Sequence, residues 1–149
     1  MRIKQQLCKA CQSTLDERMI RVQKTISDIE LSLNSETKST VGDKHETGRA
    51  MLHLEREKVG VQLNQIQQQQ AILNRIQPET KTNRPALGSV IFTTMSNYFI
   101  AISAGEVKIR DQSYYAISFN SPIGQLLRGK CEGDSFFFKE TSIKIIKII

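Results

Sequence analysis

Apolar residues in the first part of the chain recur every three or four positions. These positions are Ile3, Leu7, Cys11, Leu15, Met19, Val22, Ile26, Ile29 and Leu33. Such spacing places the residues on one face of a helix, and glutamine and charged side chains occupy the opposite face. Because no glycine or proline interrupts the pattern, we predict one long helix.

A polar segment follows Leu33 and separates this helix from a second one. Small polar residues there compete with the helical backbone for hydrogen bonds, and Gly42 permits a sharp reversal. We predict the second helix from about Asp43. Its expected apolar face is Met51, Leu54, Val59, Leu63, Ile66, Leu73 and Ile76. Two such faces bury themselves against each other in an antiparallel coiled-coil hairpin with arms of ~45 Å, whose tip lies near residues 39–47.

A change in composition marks the second half of the chain. Residues 78–86, bordered by Pro78 and Pro85, are predicted to be a linker. All three Tyr and all six Phe follow it. Aromatic and β-branched runs then predict six strands, at residues 89–94, 98–103, 107–110, 114–119, 135–139 and 143–149.

One short helix is predicted between the fourth and fifth strands. Ser121 is a favourable N-cap residue, Pro122 suits the first helical position, and Gly129 ends the helix. The expected fold class is therefore α+β. A helical hairpin at residues 1–77 precedes a mostly antiparallel β domain at residues 87–149.

Composition and charge narrow the class of protein. The chain has 149 residues, 39% of them apolar, and a formal net charge of +6, as in an ordinary soluble protein. No apolar run approaches the ~20 residues that cross a bilayer, and residues 1–6 lack the apolar core of a signal peptide. We expect a cytoplasmic protein with no membrane partner. The positive charge suits an acidic or nucleic-acid partner, but no cluster of basic residues forms a phosphate track.

The predicted tip carries two acidic residues, Asp43 and Glu46. An acid at the helix start and a glutamate three residues later form a capping pattern, and local spacing alone favours that interpretation. A second interpretation is that the two carboxylates complete a Mg²⁺ site. Since Mg²⁺ takes about six oxygen ligands, the remaining ligands would come from another macromolecule.

The cysteines and histidines do not predict a resident metal site. Cys8 and Cys11 form a Cys-x-x-Cys pair within the apolar helix face, but a structural zinc ion needs two further ligands. Cys131, His45 and His53 are scattered along the chain. Three cysteines without an export signal indicate reduced thiols. The chain also lacks a supported nucleophilic triad or phosphate-binding glycine loop.

Two motifs resemble the bacterial Gre transcript cleavage factors, the GreA and GreB family. The first is Gly42-Asp43-Lys44-His45-Glu46 between two long helices, and the second is Ser121-Pro122-Ile123-Gly124 followed by Gly129-Lys130-Cys131-Glu132-Gly133-Asp134. The strand Tyr98-Phe99-Ile100-Ala101-Ile102 is also similar. The resemblance covers nearly the whole chain.

The resemblance implies a coiled-coil finger on an FKBP-like C-terminal domain. In that family the domain docks on the rim of the secondary channel of RNA polymerase, and the finger passes down the channel toward the RNA 3′ end. The tip acids, here Asp43 and Glu46, help to hold the second catalytic Mg²⁺ and a water, and the polymerase cleaves backtracked RNA. Ser121, Pro122, Ile123 and Gly124 would approach the polymerase rim.

The tip also departs from the family pattern and leaves other functions open. Thr47, Gly48, Arg49 and Ala50 follow Glu46, where the family has an Asn, a further acid and an aromatic residue. One alternative is a regulator that binds the channel without promoting cleavage. An FKBP-type prolyl isomerase and a protein adaptor are two others, although the chain has no Trp for an isomerase pocket floor. We expect a monomer without a cofactor, which shares Mg²⁺ only when bound to polymerase.

Overall fold

The computed structural model describes the backbone of residues 2–38 and 42–149, and the side chains of residues 2–35 and 47–149. Helix α1 spans Arg2–Lys38 and helix α2 spans Gly42–Asn74, and they pack together as a hairpin. Residues 39–41, part of the predicted tip, lie outside the described residues. The predicted helical hairpin is therefore confirmed.

The chain divides into two compact units. One is Leu15–Gln70, whose described residues all belong to the two helices. In this unit, Arg18 Nη1 donates to Gln69 Oε1 at 3.2 Å, and Arg56 Nη2 lies 3.5 Å from Glu30 Oε1. Glu30 lies later in α1 than Arg18, whereas its partner Arg56 lies earlier in α2 than Gln69. The two helices therefore run antiparallel.

The predicted apolar face of α1 is confirmed. Leu7, Cys11, Leu15, Val22 and Ile29 are buried, and the other four members of the face are half-buried.

The predicted apolar face of α2 is correct from Val59 onward but wrong before it. Met51 and Leu54 are exposed to 61% and 60%, whereas Leu52 and Arg56 are half-buried. Alternating steps of three and four residues, continued back from Val59, reach Arg56 and Leu52. The heptad geometry thus places an arginine stem at the helix interface and leaves two apolar side chains in solvent.

The second unit comprises Met1–Thr14 and Ala71–Ile149. It holds a six-stranded sheet, and every predicted strand is present. The strands are β1 Val90–Thr93, β2 Asn97–Ala101, β3 Gly105–Ile109, β4 Gln112–Ser118, β5 Ser135–Phe138 and β6 Thr141–Ile148. Their order in the sheet is β3-β4-β2-β1-β6-β5. Four of the five pairings are antiparallel, while β2 and β4 pair in parallel.

The sheet has buried residues on both of its faces. Helix α3, Pro122–Leu127, belongs to the face whose core contains Leu127, Ile91 and Ile100. On the opposite face, Val90 and Phe99 pair across β1 and β2 and are fully buried. Burial on both faces accounts for the nearly continuous apolar sequence of β2.

None of the described helices, in residues 2–38, 42–74 and 122–127, combines enough length with enough apolar character to cross a lipid bilayer.

Candidate functional site

The N-terminus of α3 is built as its sequence predicts. Ser121 is the N-cap: its Oγ accepts a hydrogen bond from the Gly124 amide at 3.1 Å and donates one to the Ser118 carbonyl at 2.6 Å. Pro122 occupies the first helical position, where a missing N–H leaves no intrahelical bond unmade. Leu127 is completely buried and anchors the far end of the helix. This arrangement leaves Pro122 exposed and Ile123 half-buried.

Gly124 permits a close approach between α3 and the end of β4. A Cβ atom at this position would lie 2.5 Å from the Ser118 carbonyl oxygen and 2.6 Å from that of Phe119. Both neighbours are backbone atoms, which cannot rotate away as a side chain can. Gly124 therefore allows α3 to pack closely against the end of β4. The predicted contact of Gly124 with a partner stays a prediction.

An apolar pocket lies beside this helix, and we call it the α3 pocket. Its volume is about 260 Å³. The lining residues are Ser96, Tyr98, Tyr115, Ile117, Ser121, Pro122, Ile123 and Phe138. Three of the four residues predicted to contact a partner are thus brought together around one concave surface.

Strand register explains why two tyrosines join this pocket. Tyr98 of β2 pairs with Tyr115 of β4, and Tyr115 pairs with Glu106 of β3. Directly paired residues share a sheet face, so the three side chains form one row. The tyrosine rings lie 6.4 Å apart, and Tyr115 Oη donates to Glu106 Oε2 at 2.9 Å.

Both pocket tyrosines are neutral near pH 7. The hydrogen bond to the Glu106 carboxylate and its negative charge raise the pKa of Tyr115. Burial raises the pKa of Tyr98, an effect that a hydrogen bond with Ser96 partly offsets. The hydroxyls therefore serve as hydrogen-bond groups rather than as anionic nucleophiles.

The α3 pocket has a mostly apolar lining. Its lining has aromatic, aliphatic and hydroxyl groups but no His, Cys, Asp, Glu or Lys. At its edge, Lys139 Nζ lies 5.3 Å from the centre of the Phe138 ring, so a cation adjoins the apolar surface. Because the lining residue Tyr115 also bonds the Glu106 carboxylate, charges of both signs border the apolar surface.

The backbone places the two predicted tip acids at the start of α2. The helix begins at Gly42, so Asp43 and Glu46 occupy its first turns, while their side chains lie outside the described residues. Arg49 is half-buried, and its Nη1 donates a long hydrogen bond of 3.5 Å to the Leu33 carbonyl of α1. The Arg49 guanidinium is therefore directed toward the opposite helix.

The cysteines do not form a metal cluster in the part of the chain that is described. Within those residues, no group of three or more His, Cys, Asp or Glu side chains is arranged to hold a metal ion. All three cysteines are free thiols: Cys11 is buried, and Cys8 and Cys131 are half-buried.

Comparison with known proteins leaves the function open. The sequence matches no known protein family, and a search of curated proteins finds no significant match.

Sequence reasoning finds α3 but misses most of the pocket. Tyr98, Tyr115 and Phe138 come from three different strands. Local patterns predict each of the three strands, but the pairing that joins them is not local. The parallel pairing of β2 with β4, which places Tyr98 beside Tyr115, cannot be predicted from either strand alone.

Proposed function

We propose that the chain is a Gre-type transcription elongation factor that binds RNA polymerase at the rim of its secondary channel. In this proposal it stimulates cleavage of backtracked RNA by the polymerase. The observation that carries the proposal is the α3 pocket, because the exposed Pro122 and half-buried Ile123 that the resemblance assigns to docking lie at one apolar, concave surface. A helical hairpin with two acids at the start of its second helix supports it further.

The hairpin supplies the second part of the proposed mechanism. Asp43 and Glu46 lie one helical turn apart at the N-terminal end of α2. In the polymerase channel their carboxylates would help to hold the second catalytic Mg²⁺, which would supply the Lewis acid for hydrolysis of the RNA phosphodiester. The chain contributes ligands, and the polymerase contributes the remaining ligands and the catalytic centre.

Polymerase binding by a Pro122→Asn variant tests the docking surface. Pro122 is exposed, so its replacement removes apolar contact area without opening the core. A matched control is Ile146→Asn, which removes an apolar side chain that is 59% exposed and does not line the pocket. We expect Pro122→Asn to weaken binding at least several-fold while Ile146→Asn binds normally. Normal affinity of Pro122→Asn would refute the docking assignment.

A channel-binding regulator without cleavage activity differs from this proposal in one outcome. Such a protein would bind polymerase through the same pocket but would not shorten backtracked RNA. The two are separated by adding the protein to stalled elongation complexes and measuring transcript length.

Prolyl isomerase activity is the second candidate function, and the α3 pocket favours it specifically. An apolar pocket of about 260 Å³ lined by two tyrosines and a phenylalanine has the chemistry to accept a proline ring. A peptide isomerisation assay tests this activity. Acceleration that a Tyr98→Ala variant loses would support an isomerase, and an unchanged rate with the intact chain would exclude it.

A further inference from the structure

A second cleft lies between the first turns of α1 and the β3–β4 hairpin, within one compact unit. Its volume is about 220 Å³. Arginines stand on both sides, Arg2 from α1 and Arg110 from the hairpin turn. Ile3, Ile109 and Tyr114 supply apolar lining between them. The cleft thus combines two cations with an apolar floor.

The charges of the two arginines are not compensated by the described part of the chain. Neither Arg2 nor Arg110 forms an ion pair with any described residue. Asp111 follows Arg110 directly in the turn, yet the two are not paired. Both guanidinium groups line the same cleft, so an anion bound there would have two cationic donors available to it.

Tyr114 adds a buried donor to the same cleft. Only 4% of this residue is exposed, and its hydroxyl has no hydrogen-bond partner among the described residues. Burial raises the pKa of Tyr114, so the hydroxyl stays protonated and able to donate. Since Tyr114 lines the cleft, its hydroxyl is a donor available there to water or to a ligand oxygen.

We propose that this cleft binds a small organic anion of the phosphate monoester class. Its oxyanion pairs with Arg2 and Arg110 and accepts from the Tyr114 hydroxyl, while its apolar part lies against Ile3 and Ile109. Guanidinium groups match phosphate oxygens in both charge and geometry. A cleft of about 220 Å³ is smaller than the roughly 300–1,000 Å³ of drug-sized sites, so it suits a ligand with a single ring.

Titration of the ¹⁵N-labelled full chain with phenyl phosphate, followed by NMR, tests this site. We expect saturable shifts of amide signals in the first turns of α1 and in the β3–β4 hairpin. Arg2→Gln and Arg110→Gln should each weaken binding about tenfold, the size expected for one charge-assisted hydrogen bond. Tyr114→Phe keeps the ring and should weaken binding by a smaller factor.

Controls separate this site from general attraction between a basic protein and an anion. Arg21→Gln removes the same charge from an exposed position of α1 that does not line the cleft, and it should bind normally. Inorganic phosphate and benzyl alcohol carry only one half of the ligand each, and both should bind more weakly than phenyl phosphate. The proposal fails if no saturable shift occurs at the cleft, if Arg21→Gln weakens binding equally, or if either half-ligand binds as tightly.

Discussion

Replacing Gly124 with alanine should destabilise the β domain, even though alanine is the better helix former. In a helix interior free of contacts, alanine is favoured over glycine by about 1 kcal/mol. At Gly124, however, the new Cβ would lie 2.5 Å and 2.6 Å from two backbone carbonyl oxygens. Overpacking of this kind costs about 1–3 kcal/mol, and the upper end applies because backbone atoms must move.

The net expectation is a loss of about 2 kcal/mol, which lowers the melting temperature by roughly 4–8 °C in a chain of this length. Near-ultraviolet circular dichroism measures the effect, since all three tyrosines belong to the sheet. Gly60→Ala is the matched control: Gly60 is also helical, but nothing lies within 4 Å of the point that a Cβ atom would occupy there, so this change should stabilise by about 1 kcal/mol. A Gly124→Ala protein that melts at or above the parent temperature would refute the close approach of α3 to β4.

Three further predictions concern a turn, a buried lysine and a pocket tyrosine. Lys139 and Glu140 both have positive φ in the β5–β6 turn, so the double change Lys139→Asn, Glu140→Gly should stabilise the chain by about 1 kcal/mol in thermal unfolding. Lys4 is 1% exposed, and burial lowers its pKa below the usual 10.5, so the folded chain binds fewer protons there than the unfolded chain. The contribution of Lys4 to stability should therefore rise with pH between the lowered pKa and 10.5. Denaturant unfolding of the parent and of Lys4→Met, at pH 7 and at higher pH, measures this. The difference in the free energy of unfolding should move in the parent's favour as the pH rises, and a constant difference would contradict the prediction. Glu106→Gln should lower the pKa of Tyr115 in an ultraviolet absorbance titration, because the carboxylate that raises it is gone.

Local signals predict the elements of the β domain well. Helix α3 carries its own N-cap, a proline at its first position and a glycine beyond its end, so its position follows from a few adjacent residues. The strands carry aromatic and β-branched runs of sufficient length. None of these signals depends on knowing which elements meet in space.

Features that depend on packing are harder to predict. The buried face of α2 before Val59 includes Arg56, while the more apolar Met51 and Leu54 are exposed, because heptad geometry outweighs the apolar character of single residues. Lys4 is buried because its Nζ donates to the Thr80 carbonyl at 2.7 Å, a partner far along the chain.

In the candidate sites, too, local motifs predict some residues, whereas others depend on packing between distant segments. Ser121 and Pro122 follow from a local motif, but the aromatic wall of the α3 pocket depends on strand register. The arginine-lined cleft depends likewise on the approach of α1 to the β3–β4 hairpin. Both surfaces are assembled from segments that sequence patterns cannot pair.

A transcript cleavage assay on stalled RNA polymerase complexes, with Asp43→Ala and Glu46→Ala variants, tests the proposed elongation-factor function. We expect the parent chain to shorten backtracked RNA and each variant to lose this stimulation while still binding polymerase. In the proposed mechanism each variant would lack one carboxylate ligand for the second Mg²⁺, whereas its α3 pocket would be unchanged. Cleavage by both variants at the parent rate would contradict the proposal.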